Sequence, residues 1–189
     1  MTATSALIET NANTGLATWN IDADHSEVGF AVKHLMFATV KGNFRRFSGR
    51  IVLDEANLAA STIEAEIEVA SIDTRQDQRD THLRSADFFD ADNHPLMTFR
   101  STKIEKLRHG YYRAIGLLTI RGQSNEVVLD VEETGRGTDP WGGERIGYSA
   151  RTTIDRAAFG LTWNQALEAG GVMVGNDVRI SLEVETVKA

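Results

Sequence analysis

Thr74–Phe99, TRQDQRDTHLRSADFFDADNHPLMTF, is the stretch where the hydrophobic period of this chain changes. Its flanks alternate apolar and polar residues as strands do. From Gln76 to Phe89, in contrast, polar residues crowd one side while Leu83, Ala86 and Phe89 recur at helical spacing. Asp77, Asp80 and Asp87 stand among Arg75, Arg79 and Arg84, a dense set of charges beside Phe88-Phe89. Pro95 ends the segment, and Leu96-Met97-Thr98-Phe99 opens a strand. The spacing predicts a short helix over 76–89 that caps the end of a barrel, apolar residues turned in and charges turned out.

Outward from this stretch the pattern is β throughout. Before it, Ser61–Ser71 gives the clearest alternation, with Ile63, Ala65, Ile67 and Val69 set against Glu64, Glu66 and Glu68. That is a half-buried antiparallel strand with a solvated acidic face. Earlier still, Thr18–Asp22 reads as a short strand, the Asp22-Ala23-Asp24 cluster as a turn, and Ser26–His34 as a second strand. Leu35-Met36-Phe37 follows, too short for a helix of its own. Val40–Leu53 reads as one long strand in which Gly42 and Gly49 mark bulges or kinks, and Phe44 and Phe47 cannot share a face without a bulge between them.

After Phe99 a hairpin is expected, with its turn at Arg108-His109-Gly110, then a turn at Gly122-Gln123 and a strand through Val127, Leu129 and Val131. Gly135–Gly143 reads as a Gly-rich loop, Ile146–Ile154 as a strand, Arg156–Gly175 as irregular, and Val178–Val184 as the last strand. The predicted fold is all-β, an antiparallel barrel of about eight strands. One domain spans 17–189 behind a small polar leader over 1–16.

Composition narrows the function. The formal net charge of −7 argues against nucleic acid as a partner, which needs a basic face. No apolar run approaches the ~20 residues of a membrane helix. The absence of cysteine excludes disulfides and thiolate chemistry. The N-terminus lacks the basic start and apolar run of a secretory signal, so the expected compartment is cytoplasmic. None of the five histidines falls in a zinc spacing, and no Gly-x-Ser-x-Gly elbow or phosphate loop is present. Arg79-Asp80-Thr81-His82 brings cation, acid and base together, yet neighbours on a helix point apart, so the run reads first as a salt-bridged cap. Aromatic residues at Phe30, Phe37, Phe44, Phe47, Phe88, Phe89, Phe99, Phe159 and Trp163 are core candidates. A barrel of about eight strands holds either packed side chains or one small ligand, and the sequence leaves that choice open.

Several short runs, in this order and spacing, resemble the YceI-like family of polyisoprenoid-binding proteins with a lipocalin-like barrel. They are Asp24-His25-Ser26 with Phe30 and His34, Gly42-Asn43-Phe44, Phe47-Ser48-Gly49, Arg79-Asp80-Thr81-His82-Leu83, Asp87-Phe88-Phe89-Asp90, Gly116–Gly122 and Arg156–Gly160. The chain departs from the family at Asn125-Glu126, where members often carry proline. The resemblance covers about Trp19–Val187 and implies an apolar pore for a long isoprenoid, a quinone tail or a prenyl lipid, carried or sequestered without conversion and without a cofactor or metal. On that view Phe30, Val32, Phe37, Phe44, Phe88, Phe89, Phe99, Phe159 and Trp163 contact the tail, and His34, Arg79 and His82 meet its polar end. Two other readings stand beside it: a structural or stress-response barrel with a filled core, and an enzyme using His82 or His34 as base with Asp80 orienting it. Exposed strand edges and the resemblance also suggest a homodimer.

Overall fold

The computed structural model describes residues 15–166 and 170–189, so the expected leader lies, up to residue 14, outside the described residues. Ten strands run as β1 (Leu16–His34), β2 (Ala38–Phe44), β3 (Phe47–Asp54), β4 (Thr62–Glu68), β5 (Ile72–Asp73), β6 (Leu96–Arg108), β7 (Tyr111–Ile120), β8 (Gln123–Thr138), β9 (Glu144–Asp155) and β10 (Val174–Lys188). Every pairing between them is antiparallel, and β10 pairs back to β1 to close the sheet. β2 and β3 both pair with β1, one after the other, and β4 and β5 likewise share a place beside them. Ten strands thus fill eight positions of a closed up-and-down barrel. Closure leaves none of these positions at an open end of the sheet, which removes much of the free edge that suggested a dimer.

The paired breaks explain Phe44 and Phe47. Three residues apart, they would face opposite sides of one continuous strand. The chain steps aside at Arg45-Arg46, and a 3₁₀ turn over Val69–Ser71 breaks the neighbouring strand at the same height. Arg46 N–H donates to Ser71 Oγ at 3.1 Å, and Glu68 N–H to the Arg46 carbonyl at 2.9 Å. Both phenylalanines consequently face the barrel interior. Gly42 and Gly49 are not the bulges themselves. Each lies within a regular ladder, opposite Phe30 and Ala65.

Three boundaries differ from expectation. The turn at Asp22-Ala23-Asp24 is a bulge inside β1, a single strand of 19 residues, where the register to β10 slips between Asp22 and Glu27. Ser26 stabilises it by donating to the Asp22 carbonyl (2.6 Å) and accepting from Glu185 N–H (2.9 Å). The first four residues of the Gly135–Gly143 loop are strand, since β8 and β9 stay paired as far as Thr138 and Glu144. The helix α1 (Asp77–Arg84) is shorter than 76–89. Ser85, which caps it, is extended, its hydroxyl donates to the His82 carbonyl at 2.8 Å, and the chain turns through Phe88 and Phe89 without further helix.

α1 covers the end of the barrel at which β6 begins. Its first turn is tied to β5 through Thr74. Asp80, 5% exposed, accepts the Thr74 N–H at 3.0 Å and the Thr74 hydroxyl, while Arg79 Nε donates to Thr74 Oγ1 and Nη2 to the Thr74 carbonyl, each at 2.7 Å. Arg84 reaches the carbonyls of Ala70 and Ile72. The charges that looked like a possible catalytic run are the fastenings of the cap.

Candidate functional site: an apolar cavity along the barrel

Alternation along each strand turns one face inward, and the inward faces enclose a cavity of about 770 Å³. That is within the range of ligand pockets rather than of packing defects. The wall is almost wholly apolar: Val28, Phe30 and Val32 from β1, Phe99 from β6, Ala114 and Leu118 from β7, Val127, Leu129 and Val131 from β8, and Ile180 and Leu182 from β10. From Val127 to Glu133 on β8 the lining advances six residues, ~20 Å along the strand. The cavity is therefore elongated along the barrel.

Two glycines keep the lumen open. A Cβ on Gly42 would lie 2.5 Å from Phe30 Cζ, and one on Gly116 would lie 2.7 Å from Phe99 Cζ and 2.5 Å from the Arg100 carbonyl oxygen. Each ring thus occupies space that a side chain at the neighbouring glycine would take. The sequence showed both glycines without showing that they were seats for aromatic rings.

Leu83, Phe88 and Phe89 close the α1 end. Phe89 meets Phe44 edge-on at 5.9 Å between centroids, and Phe44 meets Phe30 at 5.7 Å. The opposite end is polar and is lined by Glu55, Lys106, His109, Tyr112, Glu133, Arg136 and Tyr148. Arg136 Nη2 donates to Glu133 at 2.9 Å, and its Nη1 to Glu55. These contacts raise the Arg136 pKa further above its usual value, Glu133 acting first. Burial pushes the Tyr148 phenol up, and burial followed by the charge of Glu133 does the same to Tyr112. Both hydroxyls remain neutral hydrogen-bond donors. Their places on β7 and β9 gave no signal, because they occupy inward positions otherwise taken by apolar residues.

Of the twelve residues expected at a ligand, Phe30, Val32, Phe44, Phe88, Phe89 and Phe99 line the cavity. The other six stand elsewhere. Phe37, 78% exposed, is at the tip of the β1–β2 hairpin, and His34 ends β1 opposite Ala38. Phe159 is fully buried in the core beside the barrel wall. Arg79 is consumed by Thr74. His82 bonds Asp87 at 2.9 Å and packs edge-on against Phe88 (5.1 Å) and Trp163 (4.8 Å), a plug outside the closed end. His34, Arg79 and His82 thus stand off the cavity wall, whose polar residues at the open end include Glu55, Glu133 and Arg136. The proposed base and its orienter do not meet either, because Asp80 faces Thr74 and not His82.

Arg156 was missed. It is 5% exposed, reaches the cavity, and donates to the carbonyls of Gly175 (2.9 Å), Trp163 (2.9 Å), Leu161 and Val174. Burial lowers its pKa. With its donors turned to backbone, it fastens the 156–175 connection to the barrel. Asn125 donates to the Ala158 carbonyl at 3.0 Å and anchors the same connection from β8.

The Asp24-His25-Ser26 run holds no hydrolytic pair. His25 Nδ1 contacts Asp22 at 2.9 Å, and the Ser26 hydroxyl serves backbone. Among the described residues Asp22, His25 and Glu185 also approach one another as metal ligands would, but Arg145 already bridges both carboxylates.

A family model for the YceI-like domain matches residues 19–186. A UPF0312 protein of Staphylococcus epidermidis is 37% identical over 171 residues, covering 90% of this chain and 97% of its own. The crystal structure of BcnA from Burkholderia cenocepacia superposes with a TM-score of 0.77 at 25% identity, covering 87% of this chain and 98% of that one. A polyisoprenoid binding domain from Saccharophagus degradans, implicated in plant cell wall breakdown, shares the fold at TM-score 0.66 and 16% identity, with 92% and 99% covered. The chain belongs to the YceI-like family.

Proposed function

We propose that this protein binds one long isoprenoid chain, the tail of a quinone or prenyl lipid, and transports, stores or sequesters it without converting it. The observation that carries this reading is the elongated cavity of about 770 Å³ with an apolar wall and a polar mouth at one end. The relative from Saccharophagus degradans, a polyisoprenoid binding domain, supports the class of ligand. At ~0.8 kcal/mol per buried CH₂, each five-carbon unit gains several kcal/mol of gross transfer energy. Ordering and association costs offset part of that, and an apolar channel still suffices for tight binding with no resident cofactor.

The mouth argues for the head group. Glu55 and Glu133 both pair with Arg136, and these two acids offset Arg136 and the exposed Lys106, so the mouth has no net positive charge to hold a diphosphate. Tyr112 and Tyr148 offer neutral hydroxyls to carbonyl or hydroxyl oxygens. The reading is therefore a tail running toward α1 and an uncharged, hydrogen-bonding head at Arg136.

Organic extraction of the purified protein, with mass identification of what is released, tests this. A stoichiometric isoprenoid with an uncharged head is expected. Release of nothing, together with failure to take up an added prenylquinone or prenol, would establish a filled barrel and end the carrier reading.

A further inference from the structure

The β1–β2 hairpin extends past the point where β5 leaves it: β2 pairs with β5 only at Asn43 and Phe44, so Ala38–Gly42 keeps a partner on the β1 side alone. Its tip is Leu35-Met36-Phe37. Met36 and Phe37 are 60% and 78% exposed. Leu35 and Met36 hold φ of 51° and 65°, a backbone region that glycine or asparagine enters far more easily. Hairpin tips ordinarily carry such residues, so here the local rule is broken in favour of large apolar side chains. Leu35 N–H bonds the Met173 carbonyl at 2.8 Å, which brings exposed Val172 near the same patch.

Charge completes the pattern. Between Glu27 and Asp54 the chain carries five cations, Lys33, Lys41, Arg45, Arg46 and Arg50, and no acid, in a protein of net charge −7. The three arginines are paired, with Asp73, Glu68 and Glu64. Lys33 and Lys41, one on each strand of the hairpin and both exposed, enter no ion pair among the described residues.

We infer that this hairpin is a docking element for a bilayer surface containing anionic lipid. Met36 and Phe37 enter the boundary between head groups and acyl chains, and Lys33 and Lys41 rest against the lipid phosphates. A second copy of the chain is the weaker fit. A few side chains at a tip fall well short of the ~800 Å² per partner that a stable protein interface buries. A bilayer accepts a small apolar wedge with a basic collar, and complementarity then comes from its negative surface. The inference concerns the outside of the hairpin and does not rest on what fills the barrel.

The test is co-sedimentation of the full chain with vesicles of phosphatidylcholine alone and of phosphatidylcholine mixed with phosphatidylglycerol. Binding to the mixed vesicles that weakens with added salt is expected. Met36→Ser/Phe37→Ser should lower the partition coefficient at least tenfold. Lys33→Gln/Lys41→Gln should lower it about thirtyfold on mixed vesicles only. The replaced side chains are exposed, and an unchanged melting temperature checks that the variants fold. Wild-type protein that stays in the supernatant, or a tip variant that binds as well as wild type, overturns the inference. So does a tip variant that changes the mass in solution, which would make the patch a subunit contact.

Discussion

Gly42→Ala examines how the lumen is kept open. The added Cβ would lie 2.5 Å from Phe30 Cζ, 2.8 Å from Phe30 Cε1 and 2.8 Å from Thr74 Cγ2. Carbon atoms in contact want about 3.5 Å or more, so the Phe30 ring has to move by about 1 Å. Thr74 is held by Asp80 and Arg79, so the ring yields, and it yields inward. Overpacking of this kind typically costs about 1–3 kcal/mol. For a domain of this size that lowers the melting temperature by about 2–12 °C. Phe30→Ala alone should also destabilise, by losing contacts with Phe44. In the double variant the ring that clashes is gone, so the two losses should overlap by about 1 kcal/mol. Thermal or urea unfolding of the four proteins in a double-mutant cycle measures this. Additivity within about 0.5 kcal/mol would refute the claim that Gly42 exists to seat Phe30. The same reasoning predicts that Gly42→Ala weakens uptake of a fluorescent apolar probe and that Phe30→Ala restores it.

Other outcomes follow from the same geometry. Ala150→Phe, which places a ring in the lumen from β9, should reduce binding of a long prenyl lipid at least tenfold while far-UV circular dichroism stays unchanged. Thr74→Val removes the hydroxyl that donates to the buried Asp80 carboxylate and accepts from Arg79 Nε, leaving Asp80 the Thr74 N–H alone; a loss of about 1–3 kcal/mol is expected, together with faster amide exchange across Asp77–Arg84. Arg145, then His25, hold the Asp22 carboxyl at about 2, below its ordinary value of 3.8. A lowered folded pKa means that the contribution is present above about pH 4 and is lost as pH falls toward 2. The stability gap between wild type and Asp22→Asn should therefore close over that interval in urea titrations. Asp22 also raises the His25 pKa, so the contribution of His25 is complete below about 6.5 and fades as pH rises through the raised value. Asp22→Asn should return the NMR titration of His25 to the ordinary range; an unmoved midpoint would contradict the pair.

The residues that announced their place did so by strict alternation or by one abrupt change of period. Ile63, Ala65 and Ile67 could only be one face of a half-buried strand, and Thr74–Phe99 could only be an interruption. Phe44 and Phe47 demanded an irregularity between them, and Arg45-Arg46 supplies it. What stayed hidden depended on contacts distant in sequence. The bulge at Asp22 is held by Ser26 and by Glu185, which lies 159 residues beyond Ser26. Ala86 fitted the helical spacing of Leu83 and Phe89 but is exposed, because Ser85 ends the helix first. Phe37 and Phe159 look alike as sequence, yet one tips a hairpin and the other is sealed in the core. The polar mouth escaped for a related reason: Glu55, Tyr112, Glu133, Arg136 and Tyr148 lie on four different segments, and only barrel closure assembles them.

The central claim is that the barrel is a container. Native mass spectrometry of the protein as purified, followed by release and identification of any adduct, addresses it most directly. The account predicts one bound molecule of isoprenoid mass per chain, lost in Ala150→Phe and retained in His82→Ala. A bare chain that also takes up no added prenyl lipid would contradict it.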